Sequence, residues 1–201
     1  MSKTFLDKAY SKQDARQLYD EWAASYEQEL AENGYATPGR CAAALHAFMP
    51  DPNLPILDFG CGTGMSGLAL RLAGFTAIDG IDLSADMLKQ ATDKNIYRAL
   101  TQIEVDEALH HMPGDYAAIA AIGVIGAGAA PISVFDTLMN GLAAGGRFVF
   151  SFNDHALADP ENEVKLNEWL DTGRARELFR EYGEHIPGIN LKSNVYVFEK
   201  T

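Results

Sequence analysis

Asp58 opens the run Asp58-Phe59-Gly60-Cys61-Gly62-Thr63-Gly64, an acid followed by three glycines at alternate positions. The apolar pair Ile56-Leu57 precedes it. A buried strand that runs into such a turn and opens a helix lets a ligand lie directly on backbone, because glycine has no side chain and tolerates positive φ. Asp82 closes the next apolar run. Glu104 and Asp106 end a third strand-like run, and Asn153, Asp154 and His155 follow a later one. His155 has the residue type for base chemistry near neutral pH, although a surface-loop histidine fits the same position. No H-E-x-x-H or paired C-x-x-C spacing is present, so no metal is expected.

The glycine run admits two cofactors. Gly62-Thr63-Gly64-Met65-Ser66-Gly67 also satisfies G-x-G-x-x-G, and Asp82 follows at a suitable distance for a dinucleotide fingerprint. That reading makes the chain an NAD(P)-dependent oxidoreductase. Asp58 argues against it, since a pyrophosphate at a helix N-terminus calls for positive partners. The same carboxylate suits a ligand that carries an ammonium and a sulfonium.

The surrounding pattern is that of an α/β protein with a doubly wound, mostly parallel sheet. Strand-like runs at 54–59, 75–81, 97–105, 116–124 and 147–152 alternate with helical stretches at 65–72, 84–94 and 131–142. Ser84 and Asp159 are placed to cap helices, and Thr37-Pro38 reads as an N-cap followed by proline at the first helical position. Leu18, Tyr19, Trp22, Tyr26 and Leu30 fall at helical spacing ahead of it. Beyond the helix that begins at Asp159-Pro160, two strand-like runs at 178–184 and 194–199 have no clear helix between them, so an antiparallel pair is expected. The expected organisation is one domain over 1–201, with a helical lid at 18–50, a cofactor-binding core at 54–152 and a C-terminal helix and strand pair at 153–201.

The 201 residues carry 28 acids against 16 Lys and Arg, a formal charge of −12. Such a surface repels phosphate backbones and anionic lipid, so neither nucleic acid nor membrane is an expected partner. The hydrophobic share of 47% places the chain among folded globular proteins. Met1 to Phe5 lacks the pattern of a signal peptide, and no apolar run reaches the ~20 residues of a membrane span. With only Cys41 and Cys61, reduced thiols in the cytoplasm are expected, in a monomer or homodimer.

The stretch 56–64 resembles the first motif of the class I, Rossmann-like S-adenosylmethionine-dependent methyltransferases. The likeness continues through Asp79-Gly80-Ile81-Asp82-Leu83-Ser84 and through Leu142-Ala143-Ala144-Gly145-Gly146, and it covers roughly 19–152. Tyr19-Asp20-Glu21-Trp22 is similar to the lid of small members, and the whole is similar to the Williams–Beuren-region methyltransferase-like proteins. The resemblance implies a seven-stranded sheet ending in an antiparallel pair, with S-adenosylmethionine as cofactor. It implies that Gly60, Cys61, Gly62 and Gly64 receive the methionine part, with Asp58 as electrostatic partner of its amino group. It places Asp82 on the ribose, and Leu83 and Met87 against the adenine, although Met87 fits a core position of its helix equally. Glu104 would accept from the adenine amine with Val105 as backbone donor, Asp106 being the alternative to Glu104. Ile122 would lie at the cofactor as the fourth strand ends.

Transfer of a methyl from a sulfonium is an in-line displacement, so positioning and desolvation can suffice without a base. No triad is evident; the candidates for acceptor-side chemistry are His155, Tyr19 and Tyr26, the tyrosines being equally placed for packing. The segment 122–128 lacks the Asn/Asp-Pro-Pro-aromatic pattern of enzymes acting on DNA bases or glutamine, which leaves a small-molecule acceptor. A cofactor-binding module without catalysis is the remaining alternative.

Overall fold

The computed structural model describes residues 27–105, 109, 112–126 and 129–201. After a helical segment at 27–32 come α1 (Thr37–Phe48), β1 (Ile56–Phe59), α2 (Met65–Leu72), β2 (Ile78–Asp82), α3 (Ala85–Asp93) and β3 (Leu100–Gln102). The chain continues through β4 (Ala118–Ala121), α4 (Val134–Asn140), β5 (Arg147–Asn153), α5 (Asp154–Leu157), α6 (Pro160–Asp171), β6 (Ala175–Ile186), a 3-10 turn (Pro187–Ile189) and β7 (Leu191–Lys200). The seven strands form one sheet in the order β3-β2-β1-β4-β5-β7-β6. β1 to β5 are parallel, and β7 pairs antiparallel with both β5 and β6. The strand order reverses between β1 and β4, which opens a crevice at their carboxyl ends, the usual ligand position in such sheets.

Both faces of the sheet are covered. On one, Cys41 and Leu45 of α1 and Leu70 of α2 pack on Ile56, Ile78, Ala118, Ala120, Val149, Val195 and Val197. On the other, α4 and α6 bury Phe135, Leu138, Leu166 and Trp169 against Ile119, Phe148, Phe150, Phe152, Tyr196 and Phe198. Phe150 stacks on Tyr196 with centroids 4.7 Å apart. Alternation along β5 sends its phenylalanines to this second face and Val149 and Ser151 to the first. The rigid centre of the sheet thereby fixes the strand ends that frame the crevice.

Several local expectations shift. Ser84 does cap α3 by accepting from Met87 N–H, and Asp159 caps α6 by accepting from Glu161 N–H. Thr37 does not cap α1: it is the first helical residue, behind Ala36, and its hydroxyl is 2.7 Å from His185 Nδ1 and 3.1 Å from Ser193 Oγ. A distant histidine competes successfully for that hydroxyl because the hairpin β6–β7 folds back over the helix start. β3 is shorter than the expected run at 97–105, since Tyr97 turns under the glycine loop before the strand begins. β6 and β7 extend past the expected runs; the added ends mix buried Ala175, Ile186 and Leu191 with polar residues, so no continuous apolar run marks them. Among the described residues no helix is long and apolar enough to cross a membrane, and no group of His, Cys, Asp or Glu could hold a metal ion.

Candidate functional site

The turn after β1 is tied to β2 by its own backbone: the Gly60 and Cys61 N–H groups both donate to Ile81 O, at 2.9 and 3.0 Å. Gly62 sits at φ +53 with nothing within 4 Å of where a Cβ would be among the described residues. Its N–H donates to Asp82 Oδ2 at 2.8 Å, while Ser84 N–H donates to Oδ1 at 2.9 Å. Asp82 is thus held half-buried at the mouth of the crevice, clamped between the glycine turn and the start of α3. A carboxylate can accept more than two hydrogen bonds, so this clamp is compatible with a ligand diol. At Gly60 the side chain of Val124 lies close, 2.6 Å from an added Cβ, so the β4 exit leans onto the loop.

Asp58 lies behind the turn and is fully buried. Its Oδ2 accepts from Ser66 Oγ at 2.6 Å and from the Tyr97 hydroxyl at 2.7 Å, whereas Oδ1 has no hydrogen-bond partner among the described residues. Burial pushes its pKa up from 3.8 to about 7, against the two hydrogen bonds; nearby Asp82 adds a smaller push. Among the described residues, Thr63 Oγ1 is the other buried side-chain oxygen without a partner. Both orphaned atoms belong to the glycine run, where buried polar groups are otherwise nearly always satisfied. Tyr97 reaches Asp58 only because Gly67 has no side chain: a Cβ there would overlap the Tyr97 hydroxyl. The third glycine of the G-x-G-x-x-G pattern therefore makes room for a tyrosine. Neither Tyr97 nor Ser66 carries a signal in the local sequence, since their contact spans the sheet; the side-chain-free Gly67 and Gly80 were the available hint.

The other expected positions scatter. Cys61 is buried, its thiol directed at Gly80 and pushed well up in pKa by burial, so only its backbone borders the loop. Leu83 is half-buried beside Asp82, while Met87 is 1% exposed and presents almost no surface to a ligand. Glu104 and Val105 are exposed beyond β3, and Ile122 is buried at the end of β4. Asn153 caps α5 by accepting from Ala156 N–H. Asp154 accepts from the Tyr182 hydroxyl and Lys192 N–H, so both side chains brace the end of the sheet. His155 is exposed on α5. Tyr19, Tyr26 and Asp106 lie outside the described residues.

Lys94, at the end of α3, joins the site from outside the expected set. It donates to Thr63 O at 2.7 Å and pairs with Glu27, linking the first helical segment to the glycine turn. Such partly exposed pairs contribute at most about 1 kcal/mol. Lys94→Met is expected to speed amide hydrogen exchange across 27–35 severalfold; unchanged exchange would show that the pair does not hold the segment.

The profile of a family described as a methyltransferase domain matches residues 26–195. The chain belongs to this family, among the class I S-adenosylmethionine-dependent methyltransferases. Membership decides the cofactor in favour of S-adenosylmethionine over a dinucleotide. Human methyltransferase-like protein 27 is 32% identical over 124 residues, which cover 60% of this chain and 51% of that protein. The matched stretch spans about half the length of that relative. The fold is similar to that of a putative methyltransferase from Haloferax volcanii, solved with the Trm112 methyltransferase activator, with a TM-score of 0.67, 14% identity and coverage of 90% and 97% of the two chains. It is also similar to magnesium protoporphyrin IX methyltransferase from Synechocystis PCC 6803 with bound SAH, with a TM-score of 0.66, 16% identity and coverage of 94% and 100%.

Proposed function

We propose that this chain transfers the methyl group of S-adenosylmethionine to a small-molecule acceptor. The observation that carries the reading is a glycine turn at the sheet's switch point flanked by two carboxylates, Asp58 behind it and Asp82 at its mouth. The residues fit the cofactor: among the described residues nothing lies within 4 Å of a Cβ at Gly62, and Asp58 Oδ1 and Thr63 Oγ1 are buried polar atoms without partners. The backbone of Gly60, Cys61, Gly62 and Gly64 would border the methionine part, with Asp58 opposing its amino group. Asp82 would take the ribose hydroxyls. Leu83 would lie on the adenine, Ile122 would close the far wall, and Glu104 with the Val105 N–H would read the adenine edge.

S-adenosylmethionine supplies an electrophilic methyl on a positive sulfur. The protein's contribution is orientation and exclusion of water; an unprotonated amine or an already ionised acceptor oxygen or sulfur attacks without a base, whereas a hydroxyl must pass its proton to one. A small acceptor is favoured by the charge of −12, which repels nucleic acid, and by the apolar Ile122-Gly123-Val124-Ile125 exit of β4. Titration calorimetry with S-adenosylmethionine and S-adenosylhomocysteine tests the cofactor site. Binding in the micromolar range is expected; no heat at roughly millimolar ligand with folded protein would overturn the reading. Turnover against a panel of hydroxyl, amine and thiol acceptors then separates an enzyme from a binding module.

A further inference from the structure

Gly64, Gly67 and Gly80, from the turn, α2 and β2, make room for a single tyrosine. An added Cβ would lie 3.3 Å from the Tyr97 ring at Gly64 and 2.9 Å from it at Gly80, and at Gly67 it would overlap the hydroxyl. Gly64 is the N-cap of α2 and has no side chain with which to cap it. A capping oxygen ordinarily accepts from the second or third helical N–H, and Gly67 is the third. The Tyr97 hydroxyl takes that place: it accepts from Gly67 N–H at 3.2 Å and donates to Asp58 Oδ2 at 2.7 Å. Ser66, one residue earlier in the same turn of helix, donates to that oxygen at 2.6 Å. Both donors therefore meet on Oδ2, and Oδ1 is left unpartnered among the described residues.

We infer that Tyr97, together with Ser66, is a positioning residue of the cofactor site: it holds the Asp58 carboxylate behind the glycine turn, oriented to receive the cationic end of the cofactor. This inference rests on the cofactor reading above. The chain from Gly67 N–H through the Tyr97 hydroxyl to Asp58 links the carboxylate to the positive end of α2. Hydrogen bonds to a carboxylate favour its ionised form. Burial pushes Asp58 up to about 7, the bonds from Ser66 and Tyr97 pull the other way, and Asp82 adds a smaller push upward. Burial, with Asp58 next, holds the Tyr97 proton well above the ordinary phenol range, so the tyrosine remains a donor. The Cys61 thiol is likewise pushed up by burial, and Lys94 at the turn is tied to Thr63 O and Glu27. Of Asp58, Tyr97 and Cys61, Asp58 alone changes charge near neutrality. Without the tyrosine hydroxyl, Asp58 keeps its proton to higher pH and has no charge to set against an ammonium.

The test needs no acceptor. S-adenosylhomocysteine carries the amine, whereas methylthioadenosine has the nucleoside and the thioether without it. The full chain, Tyr97→Phe and Ser66→Ala are titrated with both ligands by calorimetry, at about pH 6 and about pH 8.5, on either side of the Asp58 titration. Other titrating groups, the ligand amine included, act on all three proteins alike, so the ratio of affinities is the readout. Tyr97→Phe is expected to bind S-adenosylhomocysteine about tenfold more weakly than the wild type at the lower pH and within about twofold of it at the higher, the scale of one hydrogen bond to a charged group. Ser66→Ala is expected to follow the same pattern, and it decides the matter if Tyr97→Phe does not fold. Methylthioadenosine affinity is expected to stay within about twofold of the wild type throughout. A loss of equal size at both pH values, a loss shared by methylthioadenosine, or no loss at all would overturn the role of Tyr97 while leaving the cofactor site standing. If the wild-type protein bound neither ligand, the cofactor reading would fail and this inference with it.

Discussion

Asp82→Ala is expected to weaken S-adenosylhomocysteine binding by one to two orders of magnitude, since hydrogen bonds to a charged group contribute roughly 1.5–3 kcal/mol. Two effects combine in that loss. The ribose loses its acceptor, and the N–H groups of Gly62 and Ser84 lose the carboxylate that fixes the turn. An analogue without the ribose hydroxyls separates them. The wild type should prefer the natural ribose by about tenfold or more, whereas Asp82→Ala should bind both ligands alike. Retained discrimination in the variant would move the ribose contact to another residue.

Asp58 gives the second large effect, and it depends on pH. In the unfolded chain this carboxyl releases its proton near 3.8; in the folded protein burial holds the proton until about pH 7. The folded state therefore binds more protons across that window. Stability contributed by this group falls as pH rises from about 4 to about 7 and is level above, by on the order of 4 kcal/mol in total. Asp58→Asn keeps an oxygen for Ser66 and Tyr97 and removes the titration. Urea unfolding at pH 5 and pH 8 should show the wild type losing stability relative to the variant as pH rises. A constant difference between the two proteins would mean that Asp58 is not the titrating group. The cofactor's ammonium favours the ionised carboxylate, so binding should expel a proton below pH 7. The calorimetric enthalpy should then vary with the ionisation heat of the buffer, and affinity should fall by up to about tenfold per pH unit between 7 and 5.

That titration refines the electrostatic argument made from residue types. The residue-type argument takes Asp58 as a standing negative charge, and its surroundings give it a different character. It is buried with one oxygen unpartnered, and its ionisation is costly until a positive group arrives. Position 58 is legible in the sequence because it precedes three glycines at fixed spacing. The cost of its charge is not, because burial depends on Ser66, Tyr97 and the strands that close over it.

The same division runs through the molecule. Alternating apolar runs and helical stretches announced a parallel sheet, and the acid-glycine run announced the turn between β1 and α2, because each is a local pattern of side-chain period or backbone freedom. The long-range contacts were not legible in this way. Asn153 and Asp154 look like pocket residues by position and turn out to cap α5 and to brace the hairpin. Tyr35 looks like a residue of a short linker and ends at the exit of β4. Thr37 looks like a helix cap and joins His185, 148 positions away. Contacts of this kind form only when β6 and β7 fold back across the sheet. Nothing within a few residues of either partner encodes a meeting that long-range packing alone brings about.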